Sequence, residues 1–133
     1  MPEPDPAAVV DDYLASLDAT TRRVAPGQWG LEVEAAGWPL HVGLALRRGL
    51  LRAQAEVVGP DQLSDHELLH RNRTLAIVRL AHTADGTVWV QGDLPPAAVS
   101  AQELDRLLGL LVAAATEVRQ AASASAADRA RSR

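Results

Sequence analysis

The chain has 133 residues, 47% of them hydrophobic, a formal net charge of −4 and no cysteine. That length suits one domain with one core, and the apolar fraction excludes general disorder. The negative balance argues against a general nucleic-acid or anionic-membrane binder, and the missing thiols exclude disulfides, thiolate metal sites and cysteine nucleophiles.

Residues 1–5 are acidic and proline-rich and are expected to form a flexible leader. No basic stretch runs into an apolar one there, so no ordinary secretory signal is predicted. No apolar run is long enough to span a bilayer, and the expected location is cytoplasmic. Asp5 predicts an N-cap, with Pro6 at the first helical position, where its missing N–H costs nothing. The first helix is expected from about Pro6 to Ala19. Val10, Leu14 and Leu17 form its apolar stripe, with Tyr13 beside them, and Asp11, Asp12 and Asp18 read as a solvated side.

Three alternating runs follow. Trp29, Leu31, Val33 and Ala35 share one face, opposite Glu32 and Glu34. Beyond an Ala36-Gly37 turn, Trp38, Leu40, Val42, Leu44 and Leu46 share another, and beyond Arg48-Gly49 come Leu51, Ala53, Ala55 and Val57. Two-residue links allow only antiparallel neighbours. Trp29 and Trp38, in phase with leucines and valines, are expected in the core. Arg22-Arg23 and Arg47-Arg48 read as solvated ends beside turns.

Ser64 and Glu67 form a capping box, which predicts a short helix ending near Asn72. Two strands follow, Leu75 to Ala81 and Val88 to Leu94, joined through Asp85-Gly86. Both faces of this hairpin read as partly apolar. Ala76, Val78 and Leu80 point one way and Leu75 and Ile77 the other, while Trp89 opposes Val88 and Val90. One face should meet the main helices; the other requires the short helix, a second subunit or a partner. Ser100 and Glu103 form a second capping box, opening a long helix striped by Leu104, Leu107, Leu108, Leu111, Ala115 and Val118. Residues 121–133 are expected to be a disordered tail. The expected fold is α+β in the order α-β-β-β-α-β-β-α. It has a twisted antiparallel five-stranded sheet with the first and last helices packed on one face, forming a single domain over residues 6–120.

His66-Glu67-Leu68-Leu69-His70 matches H-E-x-x-H and lies on the short helix. In zinc peptidases this spacing sets two imidazoles on one helical face for Zn²⁺, with the glutamate as base. Context weighs against the match. The metzincin continuation needs a glycine and a ligand where Arg73 and Ala76 stand. His82, Asp85, Asp93 and Glu103 belong to no second motif, and Glu67 already serves the capping box. No cofactor-binding fingerprint is present, so no cofactor is expected.

The stretch Glu67-Leu68-Leu69-His70-Arg71-Asn72-Arg73 resembles the short-helix L-L-x-x-N signature of the bacterial YbjN family, which shares the fold of class I type III secretion chaperones. The order that follows resembles it too: a strand to Ala81, Asp85-Gly86, Val88-Trp89-Val90, Asp93-Leu94-Pro95 and a helix opening at Ser100-Ala101-Gln102-Glu103-Leu104. The resemblance spans roughly residues 6–120. It implies a small acidic cytosolic homodimer acting through exposed apolar surface and added strands, with no catalytic residues to carry over. YbjN-like proteins are described only broadly, as sensory-transduction or stress regulators.

The leading expectation is therefore a non-enzymatic interaction module, chaperone-like or regulatory. It is expected to bind a protein partner and to form a homodimer, with no nucleic acid and no membrane as partners. The expected contact surface is Ile77 and Trp89 with Leu68 and Asn72. The alternatives are a zinc hydrolase using His66 and His70 with Glu67 as base, and a small-ligand sensor with a cavity between sheet and helices.

Overall fold

The structure, a computed structural model, describes residues 4–132. Residues 1–3 of the expected leader and the last residue of the tail lie outside the described residues. The elements in chain order are α1 (Pro6–Ala15), β1 (Thr20–Ala25), β2 (Gln28–Ala35), β3 (Trp38–Arg47), β4 (Leu50–Val58), α2 (Asp65–Asn72), β5 (Val78–His82), β6 (Val88–Leu94), a 3₁₀ turn (Pro96–Ala98) and α3 (Ala101–Arg131).

All strands join one antiparallel sheet in the order β1-β2-β3-β4-β6-β5. The sheet has six strands, not the five expected. The additional one, β1, is an edge strand whose Arg22, Arg23 and Val24 are all exposed. A strand wetted on both faces carries no apolar alternation, so Thr-Thr-Arg-Arg-Val-Ala shows no strand period. The Arg22-Arg23 pair, read as a solvated end beside a turn, belongs to this strand.

The two central hairpins turn at Ala36-Gly37 and Arg48-Gly49, and all four residues have positive φ (55°, 87°, 50° and 75°). That pair of signs is the mark of a type I′ turn, whose twist matches that of the flanking strands. It locks Ala35 opposite Trp38 and Arg47 opposite Leu50.

The helices α1 and α3 cover one face of the sheet. Beneath them lie Trp29, Leu31, Leu40, Val42, Leu44, Leu51, Ala53 and Val90, against Leu104, Leu107, Leu111 and Val118 of α3. Two polar pins fix the layers. The Trp29 indole N–H donates to Asp11 Oδ1 at 2.7 Å, so Asp11 is part-buried and engaged instead of solvated. The Tyr13 hydroxyl donates to Asp105 Oδ1 at 2.9 Å, joining α1 to α3. Burial first, then the Asp105 hydrogen bond and charge, push the Tyr13 pKa up to about 12.

One charged side chain enters the core. Arg119, on the apolar stripe of α3, is only 4% exposed and has no carboxylate partner among the described residues. Its Nε donates to Val57 O at 2.9 Å, Nη1 to Ala35 O at 3.0 Å and Trp38 O at 3.1 Å, and Nη2 to Pro39 O at 3.1 Å. Burial lowers its pKa, from a value so high that it stays charged. The Trp38 ring covers the guanidinium at 3.2 Å from the ring centroid. Trp38 is therefore not a core residue as expected: at the first position of β3 it is 47% exposed and roofs the cation.

Residues 121–133 are expected to be disordered, whereas α3 continues to Arg131. Ala122 is still buried against the core. Beyond it the segment is alanine-rich, the best helix-forming composition. Ser125–Arg129 and Asp128–Arg131 contacts line its surface.

Candidate functional site

The short helix α2 is built as its capping box directs. Ser64 Oγ accepts the Glu67 backbone N–H at 3.1 Å. One turn then splits the two leucines. Leu68 turns inward and is 6% exposed, while Leu69 turns outward at 69%. Leu68 is therefore part of the core and leaves the expected contact surface, a consequence of the 100° step between neighbouring helical residues.

His66 and His70 are both exposed. The Glu67 carboxylate is engaged by Arg71, whose Nε and Nη2 donate to Oε1 at 3.1 and 2.9 Å. His82 lies beside Asp65, with Nε2 and Oδ1 3.4 Å apart. Among the described residues, no three His, Cys, Asp or Glu side chains gather where they could hold a metal ion. The H-E-x-x-H spacing is present, but a third ligand is not brought to it.

The Asn72 side chain is engaged within the chain. Its Nδ2 donates to Leu80 O at 3.0 Å and its Oδ1 accepts the Leu80 N–H at 2.7 Å. One side-chain amide thus occupies the outer edge of β5 as a neighbouring strand would, and closes that edge to strand addition. Replacing Asn72 with alanine is expected to lower stability by about 1–2 kcal/mol. It should also speed hydrogen exchange at the Leu80 amide; an unchanged exchange rate would contradict this role.

The chain reaches β5 through a strained turn. The Val78 N–H donates to Ala76 O at 2.7 Å around Ile77, whose φ is +68°. This is a γ-turn with a β-branched residue in the left-handed region, a conformation that costs about 1–3 kcal/mol. The strand consequently starts at Val78, and the expected alternation of Leu75 and Ile77 across the hairpin does not exist. Leu75 packs against the core, and Ile77 is 36% exposed outside the strand. The second face of the hairpin instead carries Arg79 and Ala81 with Trp89, Gln91 and Asp93. It is mainly polar, where sequence periodicity predicts an apolar one.

Trp89 is the large apolar residue of that face. It pairs with Glu56 on β4 and Ala81 on β5, and its buried indole N–H has no hydrogen-bond partner among the described residues. Beside it Asp93 accepts from Arg52 Nε at 2.7 Å and from Arg79 Nη2 at 3.0 Å. The Arg52 hydrogen bond is the main cause holding the Asp93 carboxyl below the usual carboxylate range, against a smaller upward push from burial. A depressed folded pKa stabilises the protein above the unfolded value and is lost as the pH falls through the folded one. Urea melts of Asp93→Asn at descending pH should therefore show a shallower acid-side loss than the unaltered protein, and added salt should shrink the difference.

Between α1, α3 and the sheet lies a hollow of about 420 Å³ whose walls include Leu17, Leu31, Val42, Leu108 and Val112. Its best-placed polar groups, Tyr13 and Asp105, are spent on each other. The Asp18 carboxylate is the other charged group on its lining. Arg119 and the uncovered sheet face were not singled out from the sequence. An arginine in register with Ala115 and Ala122 on an apolar stripe was the available signal for the first.

No protein-family model matches the chain, and no curated protein matches it. Solved structures share its fold. A chain of the HopA1–SchA chaperone–effector complex is 16% identical, with a TM-score of 0.69, over 85% of this chain and 91% of that one. A chain of the complex between the Yersinia pestis type III secretion chaperone SycH and a stable fragment of YscM2 is 16% identical, with a TM-score of 0.60, over 85% and 98%. A chain of the heterodimeric ExoU–SpcU complex from the Pseudomonas aeruginosa type III secretion system is 20% identical, with a TM-score of 0.59, over 84% and 96%. The chain has a type III secretion chaperone-like fold. Among the described residues no helix is long and apolar enough to cross a membrane.

Proposed function

We propose that this chain is a cytoplasmic, non-enzymatic protein-interaction module of the YbjN type, chaperone-like or regulatory, that works as a homodimer. The observation that carries the reading is the α2–β5 segment. It turns Leu69 and Ile77 to solvent on a backbone pinned by Asn72 and strained at Ile77. Strain of that kind persists only where the surroundings hold it, and it clusters at active sites, ligand clamps and switch regions. The fold adds support, since the similar chains were solved in complexes with protein partners. In this reading Leu69 and Ile77 face the second copy, and Trp89 serves the partner on the other side of the hairpin.

Sedimentation equilibrium of the wild type beside Leu69→Asp and Trp89→Asp tests it. A dimer that becomes monomeric in Leu69→Asp, with unchanged circular dichroism, is the expected result. A monomeric wild type whose solubility and partner capture are indifferent to both changes would remove the proposal.

A further inference from the structure

The face of the sheet opposite α1 and α3 has no helix on it, and it is hollow. Two adjoining concavities of about 790 and 450 Å³ share Val24, Gly43 and Gln54. Pairing explains the hollow. Gly30 on β2 stands opposite Gly43 on β3, which stands opposite Gln54 on β4, and Ala45 follows two residues along. A Cβ built on Gly43 would meet nothing closer than Gln54 O at 4.0 Å, so the floor there is bare backbone. The walls are higher. The Arg22 side chain and Val24 lie over Gly30, where a Cβ would meet Arg22 Nε at 3.3 Å and Val24 Cγ2 at 3.8 Å. Leu50 and Trp89 stand at the two ends.

The charge on this rim opposes that of the whole molecule. Among the described residues, no carboxylate lies within ion-pair distance of Arg22, Arg47 or Arg48. Of the carboxylates on the same face, Asp93 is held by Arg52 and Arg79 and Glu32 lies 3.6 Å from His41, while Glu34 and Glu56 lie outside the lining of the two concavities. A chain of net charge −4 thus presents a cationic, small-floored trough.

We propose that this trough docks an acidic amphipathic helix from a protein partner. The proposal rests on the interaction reading above and names the chemistry of what is bound. From β2 to β4, two spacings of about 4.8 Å, the trough spans about 10 Å, the diameter of a helix, with Arg22 and Val24 walling its β2 side. From His41 to Arg47 the trough runs about 20 Å, enough for about 13 helical residues. An extended segment fits worse, because the backbone groups of inner strands are already paired and would leave its own unsatisfied; a helix brings its own hydrogen bonds. The apolar side of the helix would meet Gly43, Ala45, Val24, Leu50 and Trp89, and its carboxylates would meet Arg22, Arg47 and Arg48.

The test uses the full chain and a fluorescein-labelled peptide of about 15 residues, with leucines at helical spacing and glutamates elsewhere, followed by anisotropy. The peptide is expected to bind, more weakly in high salt. Gly43→Trp, which fills the floor, and the exposed double change Arg47→Glu with Arg48→Glu are each expected to weaken it at least tenfold. Equal binding of a lysine-for-glutamate peptide would overturn the charge argument, and equal binding of a proline-broken peptide would overturn the helix in favour of an extended occupant. No binding to wild type, or full binding to Gly43→Trp with native circular dichroism, overturns the proposal outright. A Gly43→Trp protein that loses its dimer would assign the trough to a second copy and overturn it as well. If Gly43→Trp fails to fold, the double arginine change decides. Because Leu69→Asp leaves the trough intact, loss of the dimer in that variant with peptide binding retained separates this proposal from the dimer reading.

Discussion

Replacing Arg119 with leucine is expected to remove about 3–5 kcal/mol of stability, at about 1–3 kcal/mol for each buried carbonyl left without a donor, a large share of what holds a domain of this size together. The guanidinium serves four carbonyls that lie in three separate places: Val57 on β4, Ala35 at the end of β2, and Trp38 with Pro39 at the start of β3. The sheet itself cannot satisfy all of them. The register of β4 against β6 shifts between Glu56 and Val58, which takes Val57 out of the regular ladder. Leucine would match the volume roughly but offer no donor, so buried acceptors would lose partners at about 1–3 kcal/mol for a fully orphaned group. The sum is smaller than four such losses, since the Trp38 and Pro39 carbonyls are only part-buried and can reach water. Arg119→Lys should recover less than half of the loss, because one ammonium cannot span the fork that contacts both Ala35 and Pro39. Chemical denaturation of the two variants checks this. An Arg119→Leu protein within 1 kcal/mol of wild type, on the roughly ±0.5 scale of a surface change, would mean the cation is expendable.

What this arginine does explains why some elements were legible in the sequence and others were not. The helix α3 was readable because Leu104, Leu107, Leu108 and Leu111 repeat at helical spacing behind a capping box, and burial on one face is what that spacing records. The strands β2, β3 and β4 were readable for the same reason at period two. Properties that depend on pairing between distant segments left no local trace. β1 sits at an edge and buries neither face, so its residues carry no period. Trp38 is in phase with Leu40 and Val42, yet it lies at the strand's first position, where the overlying layer is a guanidinium instead of helix. Leu75 and Ile77 alternate in sequence, but the γ-turn at Ile77 delays the strand until Val78 and cancels the second apolar face.

The candidate site was legible in part for similar reasons. Asn72 was marked by its place in the L-L-x-x-N pattern, but nothing local announced that its amide closes the β5 edge at Leu80, eight residues on. Closing that edge leaves β1 as the sheet's free edge and directs attention to the two faces. One face is filled by α1 and α3. The trough on the other could be seen only once Gly30, Gly43 and Gln54 were aligned across three strands, since none of them is unusual in its own segment.

Gly92→Val is expected to cost about 3 kcal/mol, at the upper end for forcing atoms into a full core. Gly92 lies on β6 between Ala53 and Val78, directly beneath α3. A Cβ there would stand 2.6 Å from Leu107 Cδ1, 2.9 Å from Val78 Cγ1 and 3.4 Å from Ile77 O. Two of these could yield in principle, and neither has room to. Leu107 is fully buried, so its methyl cannot swing aside without displacing another core side chain. Val78 is β-branched and stiff at χ1. Any retreat of the Ile77 carbonyl would deform the strained γ-turn that precedes β5. Against the clash stands only the usual gain from removing a strand glycine, about 0.5–1 kcal/mol, so the clash decides the sign. The same geometry predicts a coupling. Gly92→Ala alone should cost about 1–3 kcal/mol, but in a Leu107→Ala background, where the nearest methyl is gone, its added cost should fall by at least 1 kcal/mol. Four urea titrations complete that cycle. Additive costs would mean that α3 does not rest on Gly92 as the distances say, and the close seating of the helix on β6, which fixes the layer beneath the proposed binding face, would have to be abandoned.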